Sequence, residues 1–346
     1  CTRVWQSCAR RGASAGDADR RRLASRRAYE DHSRMRFLIT GAAGFIGSHL
    51  CRGAVAEGHD VVGVDDLSEG SLENLAAAQE VRFEQVDVCD ASGLSDVARG
   101  CQAILHHAAR KSVQRSLEDP SGFDRVNVRG TLTVLEVARA VGASVVFASS
   151  SSIFGDQDRY PLTEDMEPRP RSPYAATKLA GEAYCRSWWE SLGVPTISLR
   201  YFNVYGPGQD PDSPYAAVIP RFVMACLAGD RPVIYGDGRQ ARDFTYVDDV
   251  VDANLLASAM PQRARGRVLN AGAGRVPTTV ADLLATIASL TETSPDPVYR
   301  PAREGDIRRS EADISLARDL IGYAPKVAIE EGLRRTIGWF RERHAS

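Results

Sequence analysis

The chain has 346 residues and a formal net charge of −2, with 43% apolar and 25% charged residues. This length suits one large α/β domain or two closely joined ones, and the near-neutral charge argues against a general nucleic-acid or membrane role. Seven scattered cysteines without a Cys-x-x-Cys pair argue against a disulfide framework or a zinc site, and the apolar runs fall short of the roughly 20 residues that span a bilayer. We therefore expect a cytoplasmic protein without a metal centre.

The first 34 residues differ from the rest because they contain nine arginines, few apolar residues and no apolar stretch typical of a secretory signal. We predict that residues 1–34 form a disordered extension ahead of the folded part. The alternative is a basic arm that binds a partner. The pattern of a compact domain begins at Met35, which an apolar run follows.

Short apolar runs alternate with helical patterns along much of the following chain. Buried strands are predicted at residues 37–40, 60–64, 81–86, 103–105, 144–148, 196–200 and 267–270. Helices are predicted at residues 45–57, 127–141 and 174–192. This alternation is typical of an α/β fold with a Rossmann-type, doubly wound parallel sheet.

A glycine-rich turn follows the first predicted strand and opens the first predicted helix. Its glycines are Gly41, Gly44 and Gly47. The first permits a tight turn, the second lets the backbone approach a pyrophosphate, and the third lets the helix pack closely on the strand. The start of the helix offers free N–H groups to phosphates. In this strand–turn–helix context the motif predicts a dinucleotide site.

Two carboxylates at later strand ends fit the same ligand. Asp65 ends the second strand, where a carboxylate can accept hydrogen bonds from ribose hydroxyls and repel a 2′-phosphate. It therefore favours NAD over NADP, although an ordinary turn aspartate beside Asp66 is the alternative. Asp87 and Val88 close the third strand, where we expect the adenine to lie.

The second half of the chain has a different pattern. Beyond Tyr201 it is richer in proline and glycine, and its alternation is less regular. We predict a nucleotide-binding domain over residues 35–200 and a smaller C-terminal lobe over residues 201–346 that contacts the substrate. A segment near residues 243–271 is predicted to return to the first domain.

A tyrosine and a lysine lie four residues apart on the third predicted helix, so Tyr174 and Lys178 share one face. A nearby ammonium and an oxidised nicotinamide are expected to lower the tyrosine pKa from its ordinary value of about 10. Tyr174 could then take a proton from a sugar hydroxyl while a hydride leaves the same carbon. Serines 149–152 end a strand at the ligand edge of the sheet, where one could bridge Tyr174 and that hydroxyl.

Together these motifs resemble the extended short-chain dehydrogenase/reductase family, in its NAD-dependent nucleotide-sugar epimerase/dehydratase branch. The similar segments are residues 40–50, 105–109, 149–155, 173–182, 199–206, 242–249 and 303–313. The resemblance implies NAD as cofactor, a UDP-sugar as substrate and a homodimer that pairs the helices near 127–141 and 174–192. Trp188 and Trp189 are the sharpest indication of that interface, with core packing as the alternative.

The resemblance also implies roles for single residues. Ser150 would be the catalytic hydroxyl beside Tyr174 and Lys178, and Lys111 would contact the cofactor. Phe45 and Ile46 of the glycine turn would also contact the cofactor. Substrate contacts are implied for Asn203, Ala217, Val218, Arg242, Arg303 and Asp306. Surface ion pairs are the alternative for the arginines.

Two serines restrict the set of reactions that we expect of this site. Ser151 and Ser152 stand where dehydratases of this branch carry an Asp-Glu pair and decarboxylases a Glu, so both reactions are disfavoured. A 4-epimerase needs no such acid, because the 4-keto sugar turns over in the pocket and the hydride returns to its other face. A dehydratase or decarboxylase with an atypical site is the alternative, and a regulator without catalysis would be expected to lack the Tyr-Lys pair.

The sugar is the least determined feature. Ser310 stands where epimerases with a small pocket carry a bulky tyrosine, and residues 305–313 resemble UDP-N-acetylglucosamine 4-epimerases. Residues 149–155 resemble UDP-glucuronate 4-epimerases instead. The hydroxyls of Ser151 and Ser152 could receive a C6 carboxylate, to which Arg115 could add positive charge. We slightly favour the uronates, UDP-glucuronic and UDP-galacturonic acid, over UDP-N-acetylglucosamine.

Overall fold

The computed structural model describes residues 34–211, 217–302 and 307–344. The predictions for residues 1–33, Arg303 and Asp306 lie outside these described residues. From Arg36 onwards the described chain forms one compact unit. Within it, no helix is long and apolar enough to cross a membrane.

A parallel sheet forms the centre of this unit. The described strands, in chain order, are β1 (Arg36–Thr40), β2 (Asp60–Asp65), β3 (Arg82–Gln85), β4 (Ala103–His106), β5 (Ser144–Ser150), β6 (Thr196–Tyr201), β7 (Val204–Tyr205), β8 (Val233–Tyr235), β9 (Ala241–Arg242), β10 (Thr245–Tyr246), β11 (Arg267–Ala271), β12 (Thr278–Thr279), β13 (Val298–Arg300) and β14 (Arg309–Ser310). Seven strands pair in the order β11-β6-β5-β4-β1-β2-β3, and every pair is parallel. The predicted Rossmann-type, doubly wound sheet is confirmed.

Helices connect these strands and cover the sheet. In chain order they are α1 (Phe45–Ala56), α2 (Ala91–Ala98), α3 (Val113–Glu118), α4 (Pro120–Phe123), α5 (Gly130–Val141), α6 (Pro173–Leu192), α7 (Val218–Ala228), α8 (Val247–Ser258), α9 (Val280–Thr291), α10 (Ser315–Ile321) and α11 (Ile329–His344). A π-helical stretch, Asp124–Arg129, precedes α5, and 3₁₀ turns lie at Leu72–Leu75, Ser151–Phe154 and Gln262–Ala264.

The central strands are largely apolar because helices cover both faces of the sheet. In β1, Phe37, Leu38 and Ile39 are all fully buried. Leu38 belongs to a core cluster with Leu135 of α5 and Cys185 of α6, whereas α1 packs against α8. Burial of both faces therefore fixes the sheet, and with it the positions of the strand ends.

Helix α6 has clear signals at both ends. The side chain of Ser172 accepts a hydrogen bond from Ala175 N, and Pro173 occupies the first helical position, where its missing N–H costs nothing. Gly193, with φ of +69°, ends the helix in the left-handed conformation. These signals place Tyr174 in the first turn of α6 and Lys178 one turn later.

A second core lies among α7, α9 and α11. It contains Tyr205, Phe222, Leu283 and Phe340, all buried. Short two- and three-stranded sheets accompany these helices, whereas β11 lies at the edge of the large sheet beside β6. The division into domains at residue 200 stays a prediction about the organisation of this compact unit.

Candidate active site

A crevice opens where the strand order of the large sheet changes direction. From β1 the chain continues to β2 and β3 on one side, and from β4 to β5 and β6 on the other. Loops that leave β1 and β4 therefore diverge, which creates a ligand site at the carboxyl ends of the strands. A cavity of about 240 Å³ lies there. We call it the sheet-edge cavity; its lining includes Gly41 after β1, Ala108 after β4 and Lys178 of α6.

The predicted glycine turn lines this cavity, together with Phe45 and Ile46. Gly41 has φ of +70°, and a Cβ there would lie 2.7 Å from Ala108 N. A Cβ on Gly47 would lie 2.0 Å from Gly41 O, so this helix-to-strand approach admits glycine alone. Gly44 is the residue before α1, whose N-terminus therefore opens at the cavity.

Asp65 also lines the cavity. Its two carboxylate oxygens accept hydrogen bonds from Ala43 N at 3.1 Å and Leu67 N at 2.8 Å. Burial raises the pKa of this carboxyl above its ordinary value. Each oxygen keeps a second lone pair, which suits the hydroxyls of a ribose. The turn and this carboxylate together fit an NAD molecule, and Lys111 lies at the same cavity as predicted.

The end of β3 differs in part from the prediction. Val86 and Val88 line the sheet-edge cavity, but Asp87 is absent from its described lining. The Asp87 carboxylate instead accepts from Cys89 N at 2.8 Å and pairs with Arg125 at 2.5 Å. Alternation along an extended segment sends neighbouring side chains to opposite sides, so the two valines and Asp87 point apart.

Tyr174 and Lys178 lie together at the same cavity. The Lys178 ammonium donates a hydrogen bond to Ala148 O at 2.9 Å and lies 5.1 Å from the centre of the Phe147 ring. Burial lowers the pKa of Lys178 to about 8. The lysine is thus fixed against the end of β5, one turn along α6 from the tyrosine.

The pKa of Tyr174 differs from our expectation. Burial raises it above the ordinary value, and a hydrogen bond with Ser150 acts in the opposite direction. The expected lowering by Lys178 is not found, because the ammonium is directed to the Ala148 carbonyl. Desolvation of the phenolate therefore dominates in the protein alone.

The hydroxyl of Ser150 can donate a hydrogen bond to the phenol oxygen of Tyr174. Its Oγ accepts hydrogen bonds from Ser152 N at 3.2 Å and from Ser152 Oγ at 2.9 Å. Because both are accepted, the proton of Ser150 stays available for Tyr174. Ser151 and Ser152 belong to the following 3₁₀ turn and are not among the described residues that line either cavity.

A second cavity, of about 370 Å³, lies beside α7. Its described lining contains two cations, Arg221 and Arg242, and no carboxylate, and we call it the arginine-lined cavity. The predicted substrate residues Asn203, Ala217 and Val218 also line it. Two guanidinium groups suit a diphosphate, because each can bind two oxygens at once.

Two predicted substrate residues lie elsewhere. Ser310 is buried behind Asn203, whose Nδ2 donates to Ser310 Oγ at 3.3 Å and to Asp243 O at 2.9 Å. Arg115 pairs with Glu69 at 2.6 Å and lies outside the described lining of both cavities. The guanidinium of Arg115 is therefore already engaged by a carboxylate of the protein.

Comparison with known proteins identifies the family of this chain. Residues 37–272 match the model of the family described as "NAD dependent epimerase/dehydratase family". The chain belongs to this family, and NAD is its cofactor. It is 42% identical over 315 residues to the UDP-glucose 4-epimerase of Mycolicibacterium smegmatis, which covers 89% of this chain and 99% of that protein.

Solved structures of the family have the same fold. A UDP-N-acetylglucosamine 4-epimerase from Methanobrevibacter ruminantium M1, in complex with UDP-N-acetylmuramic acid, is 37% identical, with a TM-score of 0.85 and coverage of 90% of this chain and 99% of that one. A UDP-glucuronic acid 4-epimerase from Bacillus cereus, in complex with UDP-glucuronic acid and NAD, is 30% identical, with a TM-score of 0.83 and coverage of 89% and 100%.

Sequence reasoning missed several lining residues of this family member. His107 and Tyr201 line the sheet-edge cavity, with His107 Nε2 2.8 Å from the Tyr201 hydroxyl. Burial lowers the pKa of His107 to about 3, so the ring is neutral. Both residues lie at the carboxyl ends of strands, a signal that could have found them. Arg221 and Tyr235 of the arginine-lined cavity follow no motif that we singled out.

Proposed function

We propose that the protein is an NAD-dependent UDP-sugar 4-epimerase, an isomerase that inverts C4 of the sugar through a transient 4-keto sugar. The observation that carries this proposal is the placement of Tyr174 and Lys178 at the sheet-edge cavity, with Ser150 beside Tyr174, in a chain of this family. The arginine-lined cavity supports a diphosphate-linked substrate. Ser151 and Ser152 offer no carboxylate for elimination or decarboxylation, which argues against those alternatives.

The residues have separate tasks in this mechanism. The chemistry that NAD supplies when bound is reversible acceptance of a hydride, here from C4 of the sugar. Tyr174 removes the proton of the 4-hydroxyl and later returns it. Ser150 donates a hydrogen bond to the phenol oxygen, which favours the phenolate. Asp65 and the glycine turn hold the ribose and pyrophosphate of the cofactor.

We propose an uncharged hexose, glucose or N-acetylglucosamine, as the sugar. This reverses our slight preference for the uronates, because Arg115 is paired with Glu69 and the Ser152 hydroxyl donates to Ser150. The similarity to a UDP-glucose 4-epimerase supports the same choice. UDP-glucuronate is the second candidate, favoured by the serine run and by the Bacillus cereus relative.

Replacing the phenol hydroxyl tests the mechanism. We expect Tyr174→Phe to lower turnover by about 10²- to 10⁴-fold while UDP-sugar binding changes by less than about 2-fold, because only the proton acceptor is lost. Turnover is measured by NMR of the anomeric proton with UDP-glucose, UDP-N-acetylglucosamine and UDP-glucuronate. Tyr184→Phe, further along α6, is the matched control and should keep full activity.

Either result of this experiment is informative. Full activity of Tyr174→Phe would contradict the proposed role of the tyrosine. Loss of water or carbon dioxide from a donor would show that Ser151 and Ser152 do not exclude elimination or decarboxylation. Inversion of UDP-glucuronate alone would contradict the uncharged sugar and leave the epimerase proposal intact.

We also propose a homodimer through α5 and α6. Leu132 of α5 and Trp189 of α6 are only partly buried, which suits a further contact. Trp188 is also only partly buried, and it packs against the core of the sheet. Gel filtration at several concentrations should give a dimer, and a monomer throughout would contradict it.

A further inference from the structure

One face of α6 contacts the last three residues of β5, Ala148–Ser150. The contacting side chains are Tyr174, Lys178 and Glu182, which follow each other at intervals of four residues. Lys178 donates to the first of the three β5 residues at 2.9 Å. Glu182 accepts from the second at 2.6 Å, and the third lies beside Tyr174, where it acts to lower the pKa of the phenol. Two of these contacts belong to the proposed mechanism, whereas that of Glu182 has no assigned role.

Glu182 is held firmly from the other side by Arg200 of β6. Arg200 Nε donates to Glu182 Oε1 at 2.9 Å, and Nη2 donates to Oε2 at 2.8 Å. The side chains of this pair are only 4% and 5% exposed. The guanidinium also lies 4.6 Å from the centre of the Phe154 ring. A two-point pair of this kind fixes the direction of the carboxylate as well as its position.

Stability alone is a weak reason for such a pair. Desolvation of two buried charges offsets most of their attraction, and an apolar pair of similar volume often serves stability as well or better. What the charges provide here is a fixed acceptor for the Ser149 hydroxyl, and Ser149 precedes Ser150 directly. The end of β5 is therefore tied to α6 beside the groups that handle the proton.

We propose that Glu182 is a positioning residue of the active site: held by Arg200, it fixes Ser149 and thereby places Ser150 to donate a hydrogen bond to Tyr174. This inference rests on the proposed function. Small errors of placement matter for such a bond, since a shift of about 1 Å can cost about 10²-fold in rate. Loss of the Ser150 bond would also move the pKa of Tyr174 upwards, because that bond acts to lower it.

The test must separate Glu182 from other charges near the tyrosine. The titratable groups that line the sheet-edge cavity around Tyr174 are Lys178 of α6, His107, Arg110 and Lys111 after β4, Tyr201 of β6, and Asp65, Asp66, Glu69 and Asp210 from the loops. None of these is changed in the variants below. A shift of the pH profile in Ser149→Ala would therefore not come from the loss of one of these charges.

Ser149→Ala removes the Glu182 contact while the Glu182–Arg200 pair stays complete. We expect kcat to fall by about 10-fold or more, with KM for the UDP-sugar changed by less than about 2-fold. The rise of kcat with pH should move to higher pH. The midpoint of the Tyr174 titration, followed by NMR of isotope-labelled tyrosine, should move in the same direction. The Tyr174 signal is assigned by its loss in Tyr174→Phe. Ser198→Ala is the matched control, because Ser198 is also buried and faces α6 near Cys185, outside the described lining of both cavities.

A second variant tests whether Ser149 acts through Glu182. Glu182→Gln keeps the shape but loses the charge, so its effect and that of Ser149→Ala should be less than additive in the double variant. Equal losses in Ser149→Ala and Ser198→Ala, or an unmoved pH profile and Tyr174 titration, would overturn the positioning role. If Tyr174→Phe is inactive in the same assay, only this inference fails; if it is fully active, the proposed function fails instead.

Discussion

The two cavities of this protein are built on different principles. The sheet-edge cavity takes most of its lining from the turns and strand ends at one edge of the large sheet, and its glycine turn recognises a ligand through the backbone. The arginine-lined cavity takes side chains from distant segments, among them Gln114, Asn203, Arg221, Arg242 and Ile307. The topology of the sheet thus determines the first site. The second depends on how segments that are far apart in sequence pack against each other.

The largest effect is expected where the backbone itself forms the site. Gly47→Ala would place a methyl group 2.0 Å from Gly41 O, so the glycine turn must open. We expect the purified protein to bind NAD more weakly by about 100-fold or more and to have a lower Tm, since a closer approach than van der Waals contact forces the backbone to shift. NAD binding by calorimetry and thermal unfolding measure this.

A second glycine serves as the control for this variant. Gly338 lies inside α11, and a Cβ there would meet nothing within 4 Å. Gly338→Ala should therefore leave NAD binding unchanged and raise stability by about 0.5–1 kcal/mol. Equal NAD affinity in Gly47→Ala and Gly338→Ala would contradict the idea that the backbone of the turn forms the cofactor site.

The same contrast explains what could be predicted from the sequence. Gly41, Asp65, Tyr174 and Lys178 follow local rules, since each lies at a strand end or at a fixed helical spacing. The residues of the second cavity that we did predict, such as Arg242, came from the family resemblance. Arg221 was missed because nothing local distinguishes it from a surface arginine of an amphipathic helix.

Other differences arose from contacts between segments far apart in sequence. Arg115 pairs with Glu69, and the pKa of Tyr174 follows its burial, which neither spacing nor composition reports. Residues 127–129 were predicted as the start of an ordinary helix but belong to the π-helical stretch Asp124–Arg129. There the Asn127 amide donates to Arg110 O at 3.1 Å and to Thr177 Oγ1 at 3.0 Å, contacts that only the folded chain provides.

An intermediate effect is expected in the arginine-lined cavity, where single side chains carry the recognition. Arg242→Ala should raise KM for the UDP-sugar by about 10- to 100-fold, because a charge-assisted hydrogen bond is worth about 1.5–3 kcal/mol. NAD affinity should stay unchanged, which would separate the two sites. Arg231→Ala is the control, since Arg231 is exposed and pairs with Asp296 outside the cavity. Unchanged KM in Arg242→Ala would contradict the assignment of this cavity to the substrate.

The smallest effect is expected at Arg115, whose ion-pair partner and whose neighbour in sequence line different cavities. Its partner Glu69 lines the sheet-edge cavity, whereas its neighbour Gln114 lines the arginine-lined cavity. Because the pair is partly exposed, Arg115→Ala should cost at most about 1 kcal/mol of stability. For an uncharged UDP-hexose we expect KM to change by less than about 2-fold, as measured by initial rates.

The same variant sharpens the choice of sugar. If a uronate were the substrate, its carboxylate would compete with Glu69 for the guanidinium, and Arg115→Ala would then raise KM for UDP-glucuronate by about 10-fold or more. Glu69→Gln would act in the opposite direction, since it frees the arginine for the sugar. Opposite effects of these two variants on UDP-glucuronate, with neither affecting UDP-glucose, would show that the ion pair withholds a cation from the substrate. Equal and small effects on all donors would leave Arg115 a surface ion pair and the sugar uncharged.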